Sequence, residues 1–237
     1  MNIINEDKEL AERAMIWVKQ NQRQIVEDFA GKFLPAPEQA VSIFMAGSPG
    51  AGKTEFSRRL IEKQFGAENK YIMRIDADEI RSKLPCYVAG KSHIFQPAVS
   101  VAVEKIHDHA LGTGKSFVLD GTLTNLKKAR DNIKRSLEKS RVAFIEYIYQ
   151  DPIVAWDFTQ KREAVEGRNI PRDAFIDQFF LARENATILK REFGKDITLD
   201  VVTRNISTNE YKYWFNVDNV DSCIKDEYSK DQLLKNL

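Results

Sequence analysis

Apolar positions recur at helical spacing from about Glu6 to Phe33, where Leu10, Ala14, Trp17, Val18, Ile25 and Phe29 are separated by charged and amide residues. Pro35 and Pro37 end that pattern and lead into the short apolar run Val41-Ser42-Ile43-Phe44-Met45-Ala46, the form a buried strand takes. The period then alternates along the chain. A helix runs through Gln64, followed by a strand at about Tyr71–Ile75, a short helix to Leu84 and a long helix at about Phe95–Leu111. Strand Phe117–Asp120, helix Asn125–Lys139 and strand Val142–Tyr149 continue the alternation. Helices over Pro152–Val165 and Pro171–Phe193 follow, with Pro171 at a first position and Gly194 at the stop. A strand at Ile197–Thr203, another over Tyr211–Val217 and a polar C-terminal helix complete the pattern. Strand and helix in alternation predict the α/β class, a parallel sheet flanked by helices on both faces. Residues 1–36 read as an N-terminal helical extension and 37–237 as one domain, with no repeat or low-complexity linker.

Between the first strand and its helix lies Gly47-Ser48-Pro49-Gly50-Ala51-Gly52-Lys53-Thr54. This is the Walker A form of a phosphate-binding loop, and its place between strand and helix is what the chemistry requires. Backbone N–H groups converge on an anion at the helix N-terminus. The Lys53 ammonium is expected on the β- and γ-phosphates of ATP and the Thr54 hydroxyl in a Mg²⁺ position. Gly112-Thr113-Gly114-Lys115-Ser116 looks similar, but it follows a helix and precedes a strand, so its glycines read as a helix stop.

A phosphate loop alone leaves switch, motor and kinase open. The next strand ends in Arg74-Ile75-Asp76-Ala77-Asp78-Glu79-Ile80-Arg81. Carboxyl ends of parallel strands line the ligand crevice, which puts Asp76 on the rim that holds Lys53. There it can accept the proton of an attacking hydroxyl, cap the following helix, or do both. Asp78, Glu79 and Arg81 read as first-turn and surface charges. Phe117-Val118-Leu119-Asp120-Gly121-Thr122 repeats the strand-end acid, with Asp120 suited to Mg²⁺ or to a substrate hydroxyl. Arg162 and Arg168 flank Gly167 between two helices, the make-up of a helical lid that brings cations to a migrating phosphoryl group. Arg172 and Arg183 form a second tier on one helix face.

Composition narrows the partners only slightly. With 43% apolar and 30% charged residues and a net charge of +1, the chain reads as globular, with no global basic excess that would point to nucleic acid. The basic run Lys127–Arg141, seven Lys or Arg against two acids, reads as a solvated helix face. Cys86 and Cys223 suggest neither zinc nor a disulfide framework, and His107 and His109 make a poor metal pair. No signal-peptide pattern or long apolar run is present, so the expected location is the cytoplasm, with no membrane partner.

With these residues together, the chain resembles the zeta toxin family of P-loop kinases over roughly residues 40–193, through Phe44–Thr54, Ile75-Asp76-Ala77-Asp78, Leu119-Asp120-Gly121-Thr122 and the pair Arg162 and Arg168. The resemblance implies a kinase-type parallel sheet and ATP-dependent phosphorylation of a UDP-amino sugar hydroxyl, such as that of UDP-N-acetylglucosamine, which poisons cell-wall synthesis. It implies that Lys53 binds phosphates, Asp76 is the base, Arg162 and Arg168 stabilise the transition state, and Asp120 and Thr122 touch substrate or metal. The chain departs from the family on the sugar-facing side, with Asp120 where Glu is common and Thr124 or Asn125 where Arg is common. Related toxins are held by a helical antitoxin, and the N-terminal helix here is a candidate for the same restraint in cis, against the simpler role of packing on the core. The alternatives are an ATP-driven switch or remodelling protein, which lacks its usual strand ending in Asp-Glu, and a kinase acting on another small molecule or a nucleic-acid end.

Overall fold

The computed structural model describes residues 3–66, 69–167, 169–205, 208, 210–225 and 227–237. In chain order the elements are α1 (Ile3–Gln20), α2 (Gln22–Ala30), β1 (Val41–Ala46), α3 (Lys53–Phe65), β2 (Ile72–Asp76), α4 (Ala77–Ser82), α5 (Ser92–Gly112) and β3 (Ser116–Asp120). Then come α6 (Leu126–Glu138), β4 (Val142–Tyr149), α7 (Pro152–Glu166), α8 (Arg172–Phe193), β5 (Ile197–Asn205), β6 (Glu210–Trp214) and α9 (Lys230–Asn236). No described helix is long and apolar enough to cross a membrane.

The strands read as unbroken apolar runs because both sheet faces are covered. Their order is β2-β3-β1-β4-β5-β6, with β1 to β5 parallel and β6 antiparallel at the edge. On one face Phe44, Ile75, Phe117, Ile145 and Leu199 join a core with residues of α5 and α8. On the other, Ile43, Met45, Ile72, Val118 and Val202 pack with Phe56, Leu60 and Ile61 of α3. Phe44 and Phe117 meet edge to face at 5.8 Å, and burying each ring contributes about 1.5–3 kcal/mol. Under the start of the sheet, the buried Arg141 donates to Ser42 Oγ (2.7 Å) and to the carbonyls of Val41 and Lys115 (2.9 and 2.7 Å), and it lies over the Phe117 ring. Much of the basic run is similarly engaged. Arg130 pairs with Glu192, and Arg135 with Glu104 and Asp108.

Three elements differ from the sequence pattern. The N-terminal stretch is two helices, because Asn21 leaves the helical region (φ −108°, ψ 20°) while its side-chain amide donates to Trp17 O at 2.8 Å. α5 begins at Ser92, three residues before the expected start, with Pro97 inside it. The expected start placed Pro97 in the first turn, where its missing N–H costs nothing. Pro171 caps α8 from outside rather than occupying its first position.

The stripe of the N-terminal helices has found its partner. Ala14, Val18, Ile25 and Ala30 are buried in the same core as Phe44 and Ile106, with both helices packed along α5. No described residue of α1 or α2 lines the cleft that holds the phosphate loop. Among the described residues the stripe packs on the core. The second glycine motif has no ligand role either, since Lys115 is buried and donates to Ala30 O at 2.9 Å.

His107 gives the fold a pH signature. It is fully buried edge-on to Phe117, at 4.8 Å between centroids, and neither ring nitrogen has a hydrogen-bond partner. Burial, aided by Arg135, pushes its pKa down to about 4, so the ring stays neutral in the folded chain. The unfolded chain takes up that proton near the ordinary value of 6.5 and the folded one does not. Stability from this group is therefore complete above pH 6.5 and is lost as pH falls toward 4, by about 3 kcal/mol in all. Urea midpoints between these pH values should fall more steeply for the wild type than for His107→Leu. Equal slopes would remove His107 as the cause.

Candidate active site

β1 lies between β3 and β4: the chain leaves β1 toward β2 on one side and crosses from β3 to β4 on the other, so a crevice opens at the carboxyl ends of these strands. It holds a cleft of about 990 Å³ whose lining includes Lys53, Thr54, Asp76, Asp120, Thr122 and Arg162.

The phosphate loop forms the floor. Gly47 turns out of β1 with φ 136°, and a Cβ there would come within 2.3 Å of Ile148 O. Gly50, at φ 72°, passes so close under α7 that a Cβ would lie 2.0 Å from Ala155 O. No other residue fits either position. Gly52 then caps α3 in the left-handed region, and the first-turn N–H groups of that helix face the loop's concavity. Lys53 Nζ donates to Gly47 O (3.0 Å) and Ser48 O (2.6 Å), so its ammonium lies across the loop mouth.

Above the loop, Asp76 and Asp120 stand in register on neighbouring parallel strands. One guanidinium nitrogen of Arg74 bridges them, at 2.6 Å from Asp76 Oδ2 and 2.7 Å from Asp120 Oδ2, while the other pairs with Glu79. Asp76 Oδ1 accepts from Asp78 N at 2.7 Å, so Asp76 caps α4 while lining the cleft. Burial and the Asp120 charge raise its pKa above the ordinary carboxylate range, against the opposing pull of Arg74 and the Asp78 N–H. A carboxylate with raised basicity beside a phosphate loop can take a proton from a bound hydroxyl.

The Thr122 segment is tied to both neighbours. Its carbonyl accepts from Gly47 N (3.4 Å), and its hydroxyl lies 3.0 Å from that of Thr124. Asn185 of α8 donates to the carbonyls of Leu123 and Thr124 at 2.9 Å each, holding Leu123 at φ 62°. On the opposite wall, Arg162 of α7 reaches to 3.8 Å from Asp78 Oδ2. α7 ends at Gly167 in a left-handed cap, and Arg168 lies outside the described residues. Arg172 and Arg183 do not join the site. They turn to the C-terminal segment, Arg172 to Leu234 O and Arg183 to Asp221 and Ile224 O.

Four participants escaped the sequence reading. Arg74 shares a strand face with Asp76, two residues on, and that spacing was the available signal. Arg81, expected at the surface, is 5% exposed, because it pairs with Asp78 and donates to Gln96 Oε1 at 2.6 Å. Arg204 of β5 lines the cleft and stacks near the Tyr211 ring. Asn185 acts from far along the chain and had no local signal.

The residues fit a nucleotide-bound Mg²⁺. Thr54 Oγ1 has no hydrogen-bond partner among the described residues, and both bonds to Asp120, from Arg74 and Ser57, fall on Oδ2. Such an ion needs few protein ligands because it keeps several waters.

A family model described as zeta toxin matches residues 26–214. Curated protein sequences give no match. Among solved structures, one from the PezAT chromosomal toxin–antitoxin system of Streptococcus pneumoniae superposes with a TM-score of 0.63 at 16% identity, over 94% of this chain and 92% of that one. The AvrRxo1-ORF1:-ORF2 complex with ATP gives 0.59 at 14% identity, over 92% of this chain and 70% of that one. At these identities the likeness is one of fold.

Proposed function

Because the chain belongs to the zeta toxin family, we propose that it is a cytoplasmic ATP-dependent phosphotransferase that moves the γ-phosphate to a hydroxyl of a small acceptor. A UDP-amino sugar such as UDP-N-acetylglucosamine is the acceptor chosen. The observation that carries the reading is the meeting of Lys53 and Asp76, from separate elements, in one cleft on the phosphate loop. In this scheme residues 37–237 form the kinase unit and 1–36 an extension packed on it.

The loop from Gly47 to Thr54 holds the nucleotide phosphates through backbone N–H groups, and Lys53 exchanges its carbonyl partners for phosphate oxygens. Asp76 accepts the acceptor's hydroxyl proton. Arg162 and Arg168 supply positive charge as the phosphoryl group migrates. Thr54 and Asp120 would hold Mg²⁺, which would neutralise charge on the phosphates. Asp120 and Thr122 hold the acceptor side of the cleft. Asp120 is one methylene shorter than the Glu common in the family, leaving room there.

The PezAT structure is of a toxin–antitoxin system. By analogy this kinase acts as a toxin restrained by a separate antitoxin protein, the packing of its N-terminal helices on the core favouring that over restraint in cis.

Arg168→Ala should lower turnover more than it weakens ATP binding, since a lid cation meets the phosphoryl group only on closure. Stopped-flow nucleotide binding beside steady-state rates checks this, and equal losses would make Arg168 an ordinary nucleotide contact. The acceptor is tested by offering UDP-N-acetylglucosamine, the unsubstituted UDP-sugar and RNA ends with labelled ATP. Label on the amino sugar is expected. Label on RNA alone would overturn the proposal.

A further inference from the structure

The sheet face under α3 carries two in-register pairs of carboxyl side chains. The first, Asp76 and Asp120, is bridged by the Arg74 guanidinium. The second is Glu146 of β4 and Asp200 of β5. Two acids side by side in a sheet repel and lose hydration, so such a pair needs a cation between them or a shared proton. The chain supplies Arg74 to the first pair, whereas among the described residues no cation forms an ion pair with either acid of the second, Lys190 acting on Asp200 only from a distance. Among the described residues Glu146 forms neither a hydrogen bond nor an ion pair, although it is only 7% exposed. Asp200, 8% exposed, accepts one bond from Asn216 N at 2.7 Å.

Both acids line a groove of about 230 Å³ between α3 and β6 that shares no residue with the nucleotide cleft. Its wall is aromatic. Phe56 lies 6.4 Å from Tyr213, and Tyr213 stacks on Phe215 at 6.1 Å with ring planes 6° apart. Phe215 is 73% exposed, a large apolar ring left in water. Rings facing a pair of acids suit an organic cation, which the ring faces attract as well. The groove is too roomy for a bare ion, and no group of three or more metal-ligating side chains occurs among the described residues.

We propose that the groove between α3 and β6 binds an organic cation, an ammonium or guanidinium group, held between the Glu146 and Asp200 carboxyls and the rings of Phe56, Tyr213 and Phe215. The ligand takes the place at this pair that Arg74 takes at the other. This inference goes beyond the phosphotransfer reading and stands without it.

The electrostatics agree. Burial and the Asp200 charge push Glu146 up to about 8, and Asp200 is raised by its own burial against Asn216 N–H and Lys190. Arg59 and Lys63 of α3 also line the groove, but Arg59 lies over the Tyr211 ring and neither forms an ion pair with either acid. An arriving cation makes Glu146 give up its proton, so binding near neutral pH releases protons to the buffer.

Titration calorimetry of the full chain, run in buffers of different ionisation enthalpy, tests this with two probes. Agmatine represents a free amine, and a short arginine peptide represents a side chain of a partner protein. Saturable binding of either, with proton release, is expected, and the preferred probe identifies the source. Glu146→Gln should weaken binding about tenfold or more, the scale of one charge-assisted hydrogen bond, while ATP binding is unchanged. Phe215→Ala, at an exposed position that folding tolerates, should also weaken it. No binding of either probe in the millimolar range, or equal binding by the folded variants and the wild type, would overturn the proposal.

Discussion

Asp76→Asn should leave ATP binding intact and lower phosphoryl transfer by about a hundredfold or more, the scale of a general base. The isosteric amide can still accept the Asp78 N–H, so α4 keeps its cap and the variant should fold. What it loses is proton affinity. The pH dependence carries the finer test. Transfer requires ionised Asp76, so the rate rises with pH through its pKa, which burial and Asp120 hold above the ordinary carboxylate range. Arg74 opposes that rise, so Arg74→Gln should move the acid limb to still higher pH. An unmoved limb would detach Arg74 from the base. Near-full turnover in a folded Asp76→Asn protein would reduce Asp76 to a helix cap.

Lys53→Ala should lower transfer by about a hundredfold to a thousandfold or more, the usual loss on removing a group that meets charge developing in the transition state. It should weaken ATP binding as well, which separates it from Asp76→Asn. Stability should change little, because the Gly47 and Ser48 carbonyls that Lys53 now holds face a wet cleft and can turn to solvent. Nucleotide titrations beside steady-state rates distinguish the two variants. Loss of rate with unaltered ATP affinity would place the ammonium away from the ground-state phosphates.

The parts of the site legible from sequence are those encoded locally. A six-residue apolar run, three glycines and a lysine define strand, loop and helix within fifteen residues. Asp76 and Asp120 were legible because strand ends in a parallel sheet share one rim. Residues whose role depends on a distant partner were not. Arg74 pairs across strands with Asp120, and Asn185 reaches back 62 residues to the loop it holds. Arg81 was misplaced because a six-residue helix is too short for a periodic pattern to show its buried face. The break at Asn21 carries neither proline nor glycine, so an amide that prefers its own backbone ended the helix without the usual punctuation.

The central claim is that this cleft passes phosphate to a hydroxyl rather than to water. Single-turnover reaction of the protein with γ-labelled ATP and a bacterial metabolite extract, with products separated by charge, tests it most directly. The account predicts label as a phosphate ester on a small molecule, and its disappearance in Lys53→Ala and Asp76→Asn. Label recovered solely as inorganic phosphate would contradict it and make the protein a hydrolase or switch.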